Sequence, residues 1–549
     1  MTTSAAEQTL IEALEGIVGA RHVLVSLPDK LAYARDCWPR GIILVRGGRL
    51  MEHHPLCVAQ PADEAEVAAV VRAVRAAGLP IIPYGAGSGV CGGTLPDRGG
   101  VVVDVKRLNS IEKIDVDAFL MRVGAGAIGQ VVQTELERRG LTLGHFPSSL
   151  YCSTVGGYLA GRSAGQYSSR FGKIEDMVQS LRVVTGIGDT IDTAPGLGAD
   201  RWGGGLDLTQ LMVGSEGTLG VITSGVLRLN LAPEVRLYRG FKCSSMESGV
   251  KLMRKIMQAG LRPAVMRLYD EFDTLIAGSL KGQRRGAPSE VEPGMPARLM
   301  SGLWDSAVKV LPGDVARAAS AAPDIADRVR RAGMGLLTRA IGSPLLLNQM
   351  TEALPGGCLL VMGFEGHKGA AQAEYDAAMA LARASCVDLG SGPGEHWLKN
   401  RFNVSYKQSA MFDAGAFTDT MEVSTTWANL MRLYYNVKRA VADDAFIMAH
   451  LSHAYAEGCS IYFTFAGFGA DTDETLARYT RLWQVAQQAV IDSGASVAHH
   501  HGVGVSKAAN TGHDHQGGRP LFDALKAAFD PDGIMNPGKV WADDPEVAP

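Results

Sequence analysis

The sequence predicts an α+β protein of more than one domain. Three observations carry this. First, 549 residues with 46% hydrophobic content exceed what a single core normally holds. Second, the first 235 residues alternate short apolar runs with helical periodicity and with loops of small residues. Third, from about residue 236 longer helical segments alternate with strands such as CLLVMGFEG and CSIYFTFAGFG.

Composition excludes several functions. Net charge is −4, no basic run or zinc-finger spacing occurs, and nucleic-acid binding is not expected. Eight cysteines (Cys37, Cys57, Cys91, Cys152, Cys243, Cys358, Cys386, Cys459) are scattered without a C-x-x-C, which fits a reducing compartment. The N-terminus has no basic-then-apolar signal pattern and reads as a short amphipathic helix. No uncharged apolar run approaches the ~18–20 residues of a membrane span. The expected location is cytoplasmic.

Apolar residues recur at helical spacing from Val67 to Val74, with Ala62-Asp63 where a helix begins and Gly78 where it stops. LPIIPYG is then a short strand, followed by GAGSGVCGG. Gly87 to Gly92 satisfies G-x-G-x-x-G, but a dinucleotide loop of that kind must open a helix. Pro96 and the surrounding glycines forbid one, and GVVVDVKRL reads as a buried strand. Next come a strand, a GAGA turn, a helix and a strand-like run into His145. Two further small-residue stretches follow, STVGGYLAGRSAGQYSS and MVGSEGTLGVITSG. Three loops of bare backbone suggest one long ligand lying between them, its phosphates met by N–H groups.

This pattern resembles the vanillyl-alcohol oxidase and p-cresol methylhydroxylase (PCMH) superfamily of flavoproteins over nearly the whole chain. STVGGYLAGRSAGQYSSRFGKIEDMV and HHHGVG look most like alkyldihydroxyacetone-phosphate synthase and bacterial FAD-linked oxidases. The resemblance implies a two-subdomain PCMH-type FAD-binding domain over 1–235 and an α+β cap of the FAD-linked oxidase C-terminal type over 236–495. Residues 496–549 would return to the first domain. It implies FAD, and no strong attachment signal is present, so dissociable FAD is expected. Gly85, Gly87, Ser88 and Gly89 would cradle the pyrophosphate, with Pro83 and Val90 in the same cofactor site. Ser153, Thr154, Gly156 and Gly157 would line the ring and ribityl chain, and Ser163, Gly165 and Tyr167 would continue that wall. Glu216, Gly220, Val221 and Ile222 would hold the adenosine end, and Asn536 would close the site.

The same resemblance assigns chemistry to six residues. Arg267, in PAVMRLYD, matches an active-site arginine whose guanidinium can grip an anion at two points. Its bland alternative is a surface ion pair. Tyr462 matches a candidate acid or base, and its bland alternative is a core tyrosine. A phenol does such work only where a cation lowers its pKa. His145 matches another active-site histidine, and His500 or His501, within AHHHGVG, would be a base near the flavin. In a strand at most two of His499, His500 and His501 share a face. Related D-2-hydroxyacid dehydrogenases bind metal through two histidines and a carboxylate. This chain offers His450, Tyr462 and His500 at those places, so no metal is expected. Where the synthase carries a phosphate-handling arginine, this chain has Gln408 beside Lys407, which puts phosphate-ester specificity in doubt. Lys407 could supply the charge with Glu422 orienting it.

The expected function is FAD-dependent oxidation of a small alcohol or hydroxy acid by hydride transfer to flavin N5. The alternative is a non-redox synthase of ether lipids, and a third class is a flavoprotein without chemistry. The substrate is expected to be small and anionic, and the electron acceptor is open. Residues 280–345 read either as a surface insertion or as a lid or membrane-surface patch. Peripheral membrane contact through that stretch and a homodimer are both retained as expectations.

Overall fold

The computed structural model describes residues 4–194, 205–271, 273, 274, 344, 348, 357–403, 409–413 and 415–543. Lys407, Gln408 and nearly all of the 280–345 stretch lie outside the described residues.

The helix expected after residue 62 runs Glu64–Ala76, and the Asp63 side chain accepts from the Glu66 N–H at 2.8 Å as its N-cap. Its apolar stripe, Val67, Val70, Val71 and Val74, is fully buried. Strand Ile81–Tyr84 follows and pairs in parallel with Val101–Asp104, and no helix lies between them. The dinucleotide-fold reading is therefore excluded by the structure as well as by Pro96. These two strands, with Cys57–Ala59 and Val23–Leu24, form a four-stranded sheet. A second, five-stranded sheet is ordered Ile111–Asp115, Leu120–Gly124, Gly220–Arg228, Val178–Thr185, Thr190–Asp192. One apolar cluster runs through both, so the two sheets share a core.

The third large sheet has seven antiparallel strands. Their order is Val387–Asp388, Val235–Cys243, Cys358–Gly366, Val265–Tyr269, Phe446–Ala454, Gly458–Phe468, Ala416–Thr426. Side chains alternate across a strand, so one face can be apolar and the other polar. Ile461, Phe463 and Phe465 are fully buried, together with Met266 and Leu268, Ala449 and Leu451, and Met421 and Val423. Helices Met246–Gln258, Leu430–Val441 and Thr472–Asp492 contribute to the same cluster. Each large side chain so buried contributes about 1.5–3 kcal/mol. The intervening residues, Arg267, His450, Tyr462 and Glu422, therefore share the opposite face. Register places Glu422 opposite Tyr462 and Tyr462 opposite His450.

The cap and the cofactor-domain loops meet through hydroxyls. Glu365, buried in the cap, accepts from Tyr238 Oη at 2.6 Å and from Tyr167 Oη at 3.1 Å. After residue 495 the chain runs back. Ile81 donates its N–H to the Ile534 carbonyl and accepts from the Asn536 N–H, both at 2.8 Å. Buried Asp530 caps that last turn by accepting from the Ile534 and Met535 N–H groups.

Asp419 points toward the helical side of the cap, where it accepts from Tyr479 Oη at 2.6 Å and Trp483 Nε1 at 2.9 Å. Burial outweighs these bonds and pushes its carboxyl up to about 6. The unfolded chain releases this proton near pH ~4, so between about pH 4 and about pH 6 the folded state binds more protons. This group's contribution to stability therefore falls as pH rises through that window and is level above it. Asp419→Asn, which stays neutral, should gain stability relative to wild type across the window and hold a constant difference above it. Urea denaturation across the window measures this; a pH-independent difference would mean that the carboxyl ionises freely in the fold.

Candidate active site

The cofactor loop is open backbone. Among the described residues no acceptor takes the N–H groups of residues 86–90, whereas the Gly85 and Gly89 carbonyls are used by Lys106 Nζ and the Cys37 N–H. Gly87 has φ +61°, and a Cβ there would meet Tyr84 Oη at 1.9 Å. A Cβ on Gly85 would meet Thr154 Oγ1 at 2.3 Å. A run of free N–H groups on a loop that side chains cannot fill suits a diphosphate, so these residues fit the pyrophosphate of FAD. Pro83 is the third residue of strand Ile81–Tyr84, which leads into the loop, and it packs against Gly217.

The other expected cofactor residues divide. Thr154 caps helix Val155–Ala160 by accepting from the Gly157 N–H, and Gly156 packs against Ala125 with no room for a Cβ. Ser153 spends its hydroxyl on Tyr158 and the Ser149 carbonyl. Ser163 bonds His145 Nε2 at 2.9 Å, and a Cβ on Gly165 would strike the Phe146 N–H. Tyr167 turns its hydroxyl to Tyr238 and Glu365, so its polar end serves the domain joint. Gly220, Val221 and Ile222 begin a buried strand of the five-stranded sheet. Both Glu216 oxygens are engaged, by the N–H groups of Val503 and Gly504 at 2.5 and 2.8 Å. Asn536 donates to the Gly93 and Glu216 carbonyls, tying the tail to the cofactor loop. Glu216 and Asn536 thus brace the loops around the site.

On the cap side, four neighbouring strands present one polar cluster. Arg267 donates from Nη2 to His450 Nε2, and His450 Nδ1 lies 3.2 Å from Asp273 Oδ2. His450 is thus neutral with its hydrogen on Nδ1, which agrees with the downward push of burial and of the Arg267 charge. Arg267 Nε is buried and lacks a partner, so part of the fork remains for an anion. Burial pushes the Asp273 carboxyl up to about 7 despite Arg267. Tyr462 stacks on His450 with centroids 4.9 Å apart.

Tyr462 Oη lies 2.6 Å from His500 Nε2 and 2.9 Å from His501 Nε2. Burial raises the Tyr462 hydroxyl well above the ordinary phenol value, and Arg267 recovers only part of that. The cation-lowered tyrosine required of a standing base is therefore not what the fold builds. Burial also lowers every imidazole nearby: His145 and His499 to about 3, His501 to about 4, and His453 and His500 well below the ordinary value. His145 stands apart from the triplet, its ring tilted against Tyr158 with centroids 4.7 Å apart.

The histidine run is a loop, not a strand, so all three rings can converge. Glu422 Oε1 accepts from the His500 and His501 N–H groups at 2.9 and 2.6 Å. Burial would raise its carboxyl, but Lys507, 3.5 Å away, and the histidines hold it down to about 2. Glu422 thus pairs with Lys507; Lys407, expected to be oriented by Glu422, lies outside the described residues. Glu422, His499 and His500 each offer a ligand atom, all within 4.8 Å of one another. The two Nδ1 atoms, however, are 2.8 Å apart. Two nitrogens on a tetrahedral zinc at ~2.0–2.1 Å would stand about 3.3 Å apart, so the observed spacing is that of a hydrogen bond.

Sequence reasoning missed Lys507, Asp273, His453 and Tyr455, and it named His450 only at a metal-ligand place, not as a partner of Arg267. His450 and His453 have opposite parity in the strand, yet a register irregularity between Leu451 and Ala454 brings both to the site.

Comparison with known proteins agrees with this geometry. Residues 55–194 match the FAD binding domain family, and residues 232–540 match the FAD linked oxidases, C-terminal domain family. The chain is 28% identical over 513 residues to alkyldihydroxyacetonephosphate synthase of Dictyostelium discoideum, covering 91% of this chain and 75% of that one. It is 26% identical over 460 residues to the uncharacterized FAD-linked oxidoreductase YgcU of Escherichia coli (strain K12), covering 80% and 79%. The fold is similar to that of p-cresol methylhydroxylase with substrate bound, at a TM-score of 0.70, 16% identity and 98% coverage of both chains. With an open diphosphate loop, a helix-backed cap sheet and a family match over more than half its length, this chain belongs to the FAD-linked oxidases and is an enzyme that uses FAD.

Proposed function

We propose that the enzyme oxidises a small alcohol or hydroxy acid whose anionic group is gripped by Arg267 and whose hydroxyl proton leaves through Tyr462. The observation that carries this reading is the Tyr462 hydroxyl, held between two neutral imidazoles and beside the Arg267–His450 pair. A phenol whose own ionisation is disfavoured can still accept a proton as it passes its own to His500. FAD, when bound, supplies the two-electron acceptor. Arg267 would bind and orient the substrate carboxylate, with His450 and Asp273 fixing the guanidinium from behind. Glu422 and Lys507 would hold the histidine loop in place, while His145 packs under the Ser163 wall.

The second reading is an alkyldihydroxyacetonephosphate synthase-like enzyme of ether-lipid synthesis, supported by the likeness to the Dictyostelium protein over 91% of this chain. The replacement of the synthase arginine by Gln408 beside Lys407 favours a carboxylate over a phosphate ester. An anaerobic screen of hydroxy acids, phenolic alcohols and acyl-dihydroxyacetone phosphate separates the two. Bleaching of the visible flavin band by an alcohol or hydroxy acid supports oxidation. No bleaching, with fatty-alcohol incorporation into acyl-dihydroxyacetone phosphate, supports the synthase. FAD is taken to be dissociable, and the electron acceptor is left to the same screen.

Arg267→Ala should lower anaerobic turnover by on the order of 10²–10³, as loss of a preorganised charge-stabilising donor does, with FAD content normal. Arg267→Lys should recover only part, because an ammonium lacks the fork. Wild-type rates in Arg267→Ala would place the anion elsewhere. Gly87→Val should purify with little FAD, since a branched side chain fits neither the positive φ nor the space under Tyr84; full occupancy would remove the loop from the cofactor site. We take the reaction to need no metal. Chelator-treated enzyme should keep its activity, and His500→Ala should slow it with FAD still bound. Activity lost to EDTA and restored by a divalent ion would reverse that assignment.

A further inference from the structure

A second set of groups continues from Tyr462 away from Arg267. His500 Nε2 faces Tyr462 Oη at 2.6 Å, and His500 Nδ1 faces His499 Nδ1 at 2.8 Å. His499 Nε2 faces Tyr455 Oη at 3.1 Å, Tyr455 Oη faces Ser168 Oγ at 3.2 Å, and Ser168 Oγ faces His453 Nδ1 at 2.6 Å. Beyond Tyr462, whose hydroxyl also meets His501 Nε2 at 2.9 Å as a side contact, the contacts form one series that crosses four parts of the chain: strand Gly458–Phe468, the histidine loop, the cap strand Phe446–Ala454 with the residue after it, and helix Ser168–Phe171 of the cofactor domain.

We propose that His499, Tyr455 and Ser168 are positioning residues that join Tyr462 to His453 as a single proton relay. The proposal rests on the reading that Tyr462 receives a substrate proton. Hydrogen counting supports it. A neutral imidazole has one N–H and one lone pair, and a hydroxyl both donates and accepts. If Tyr462 donates to His500 Nε2, then His500 carries its hydrogen on Nδ1 and donates to His499 Nδ1. His499 then donates from Nε2 to Tyr455, Tyr455 to Ser168, and Ser168 to His453 Nδ1. Every contact holds one hydrogen, with no clash and no vacancy.

When the substrate hydroxyl gives its proton to Tyr462 Oη, each hydrogen moves across one contact. The O–H bond of Tyr462 breaks as the Nε2–H bond of His500 forms, and so on to a new Nδ1–H bond on His453. One proton enters, one is bound at the far end, and the groups between stay neutral. The series is then polarised in the opposite direction, which is equally satisfied, so the same groups can return a proton. Burial keeps the rings neutral, the only state in which an imidazole can both accept and donate. It also disfavours a charged His453, so the proton rests there only in passing.

The first test needs no substrate. Nitrogen-15 NMR of histidine-labelled holoenzyme at neutral pH should show His499 and His500 both neutral and in opposite tautomers, one protonated at Nδ1 and the other at Nε2. In Tyr455→Phe, which removes the acceptor beside His499 Nε2, His499 should be protonated at Nδ1. The same tautomer in both rings, or a charged ring, overturns the relay. The second test uses the compound that bleaches the flavin most rapidly in the anaerobic screen. Tyr455→Phe and Ser168→Ala should each slow bleaching by on the order of 10²-fold, the low end of what a positioned proton transfer contributes. The dependence of the rate on the deuterium fraction of the solvent should change from curved to straight, which a purely structural defect would not produce. Normal FAD content with unchanged rate and curvature overturns the proposal. If no compound bleaches the flavin, the oxidative reading falls, and the tautomer measurement still decides the relay.

Discussion

The polar half of the site depends on one buried ion pair. Glu422 and Lys507 are both almost wholly enclosed, and neither could stay charged there alone. Removing one partner of such a pair costs about 3–5 kcal/mol, because the other is left as an uncompensated charge. The pair does more than neutralise itself. One Glu422 oxygen takes two consecutive N–H groups of the histidine loop, which turns His500 and His501 onto Tyr462. Glu216 does the corresponding work one turn later, taking the N–H groups of Val503 and Gly504. Two carboxylates, one from each large domain, thus hold neighbouring stretches of a single loop.

The cap sheet supplies the second constraint. Because its helix-covered face must be apolar, chemistry can stand only on alternate residues. Arg267, His450, Tyr462 and Glu422 fall on that alternate set in four adjacent strands, and antiparallel pairing sets them side by side. Much of this was legible in the sequence. The strand that carries Tyr462 was announced by the run CSIYFTFAGFG. The helix over Val67–Val74, the strand before the first glycine loop and the failure of the dinucleotide motif at Pro96 were all readable from local chemistry. The open N–H groups of residues 86–90 are the physical content of that glycine run.

What was not legible depended on distant partners. Nothing near Lys507 marks it as the counter-ion of a residue 85 positions earlier. Asp273 acquires meaning only when strand Phe446–Ala454 lies beside Val265–Tyr269. His453 has the wrong parity for the site and reaches it through an irregularity that no alternation rule reveals. The histidine triplet, treated as a strand, could offer at most two rings to one face; as a loop pinned by Glu422 it offers three. Tyr167 and Glu216 were placed beside the cofactor by motif, and in the fold their polar atoms hold loops and domains together.

The return of the chain to strand Ile81–Tyr84 sets an order of events during synthesis. The backbone groups of Ile81 are satisfied by Ile534 and Asn536, more than 400 residues further along the chain. Asn536 also completes the links between Gly93 and Glu216 that steady the cofactor loop. Contacts separated by more than 400 residues must wait for both partners to be made, and such long-range closures are slow. During synthesis the cofactor loop therefore lacks the brace of Asn536, and the core around it lacks Ile534 and Met535, until that late segment has emerged.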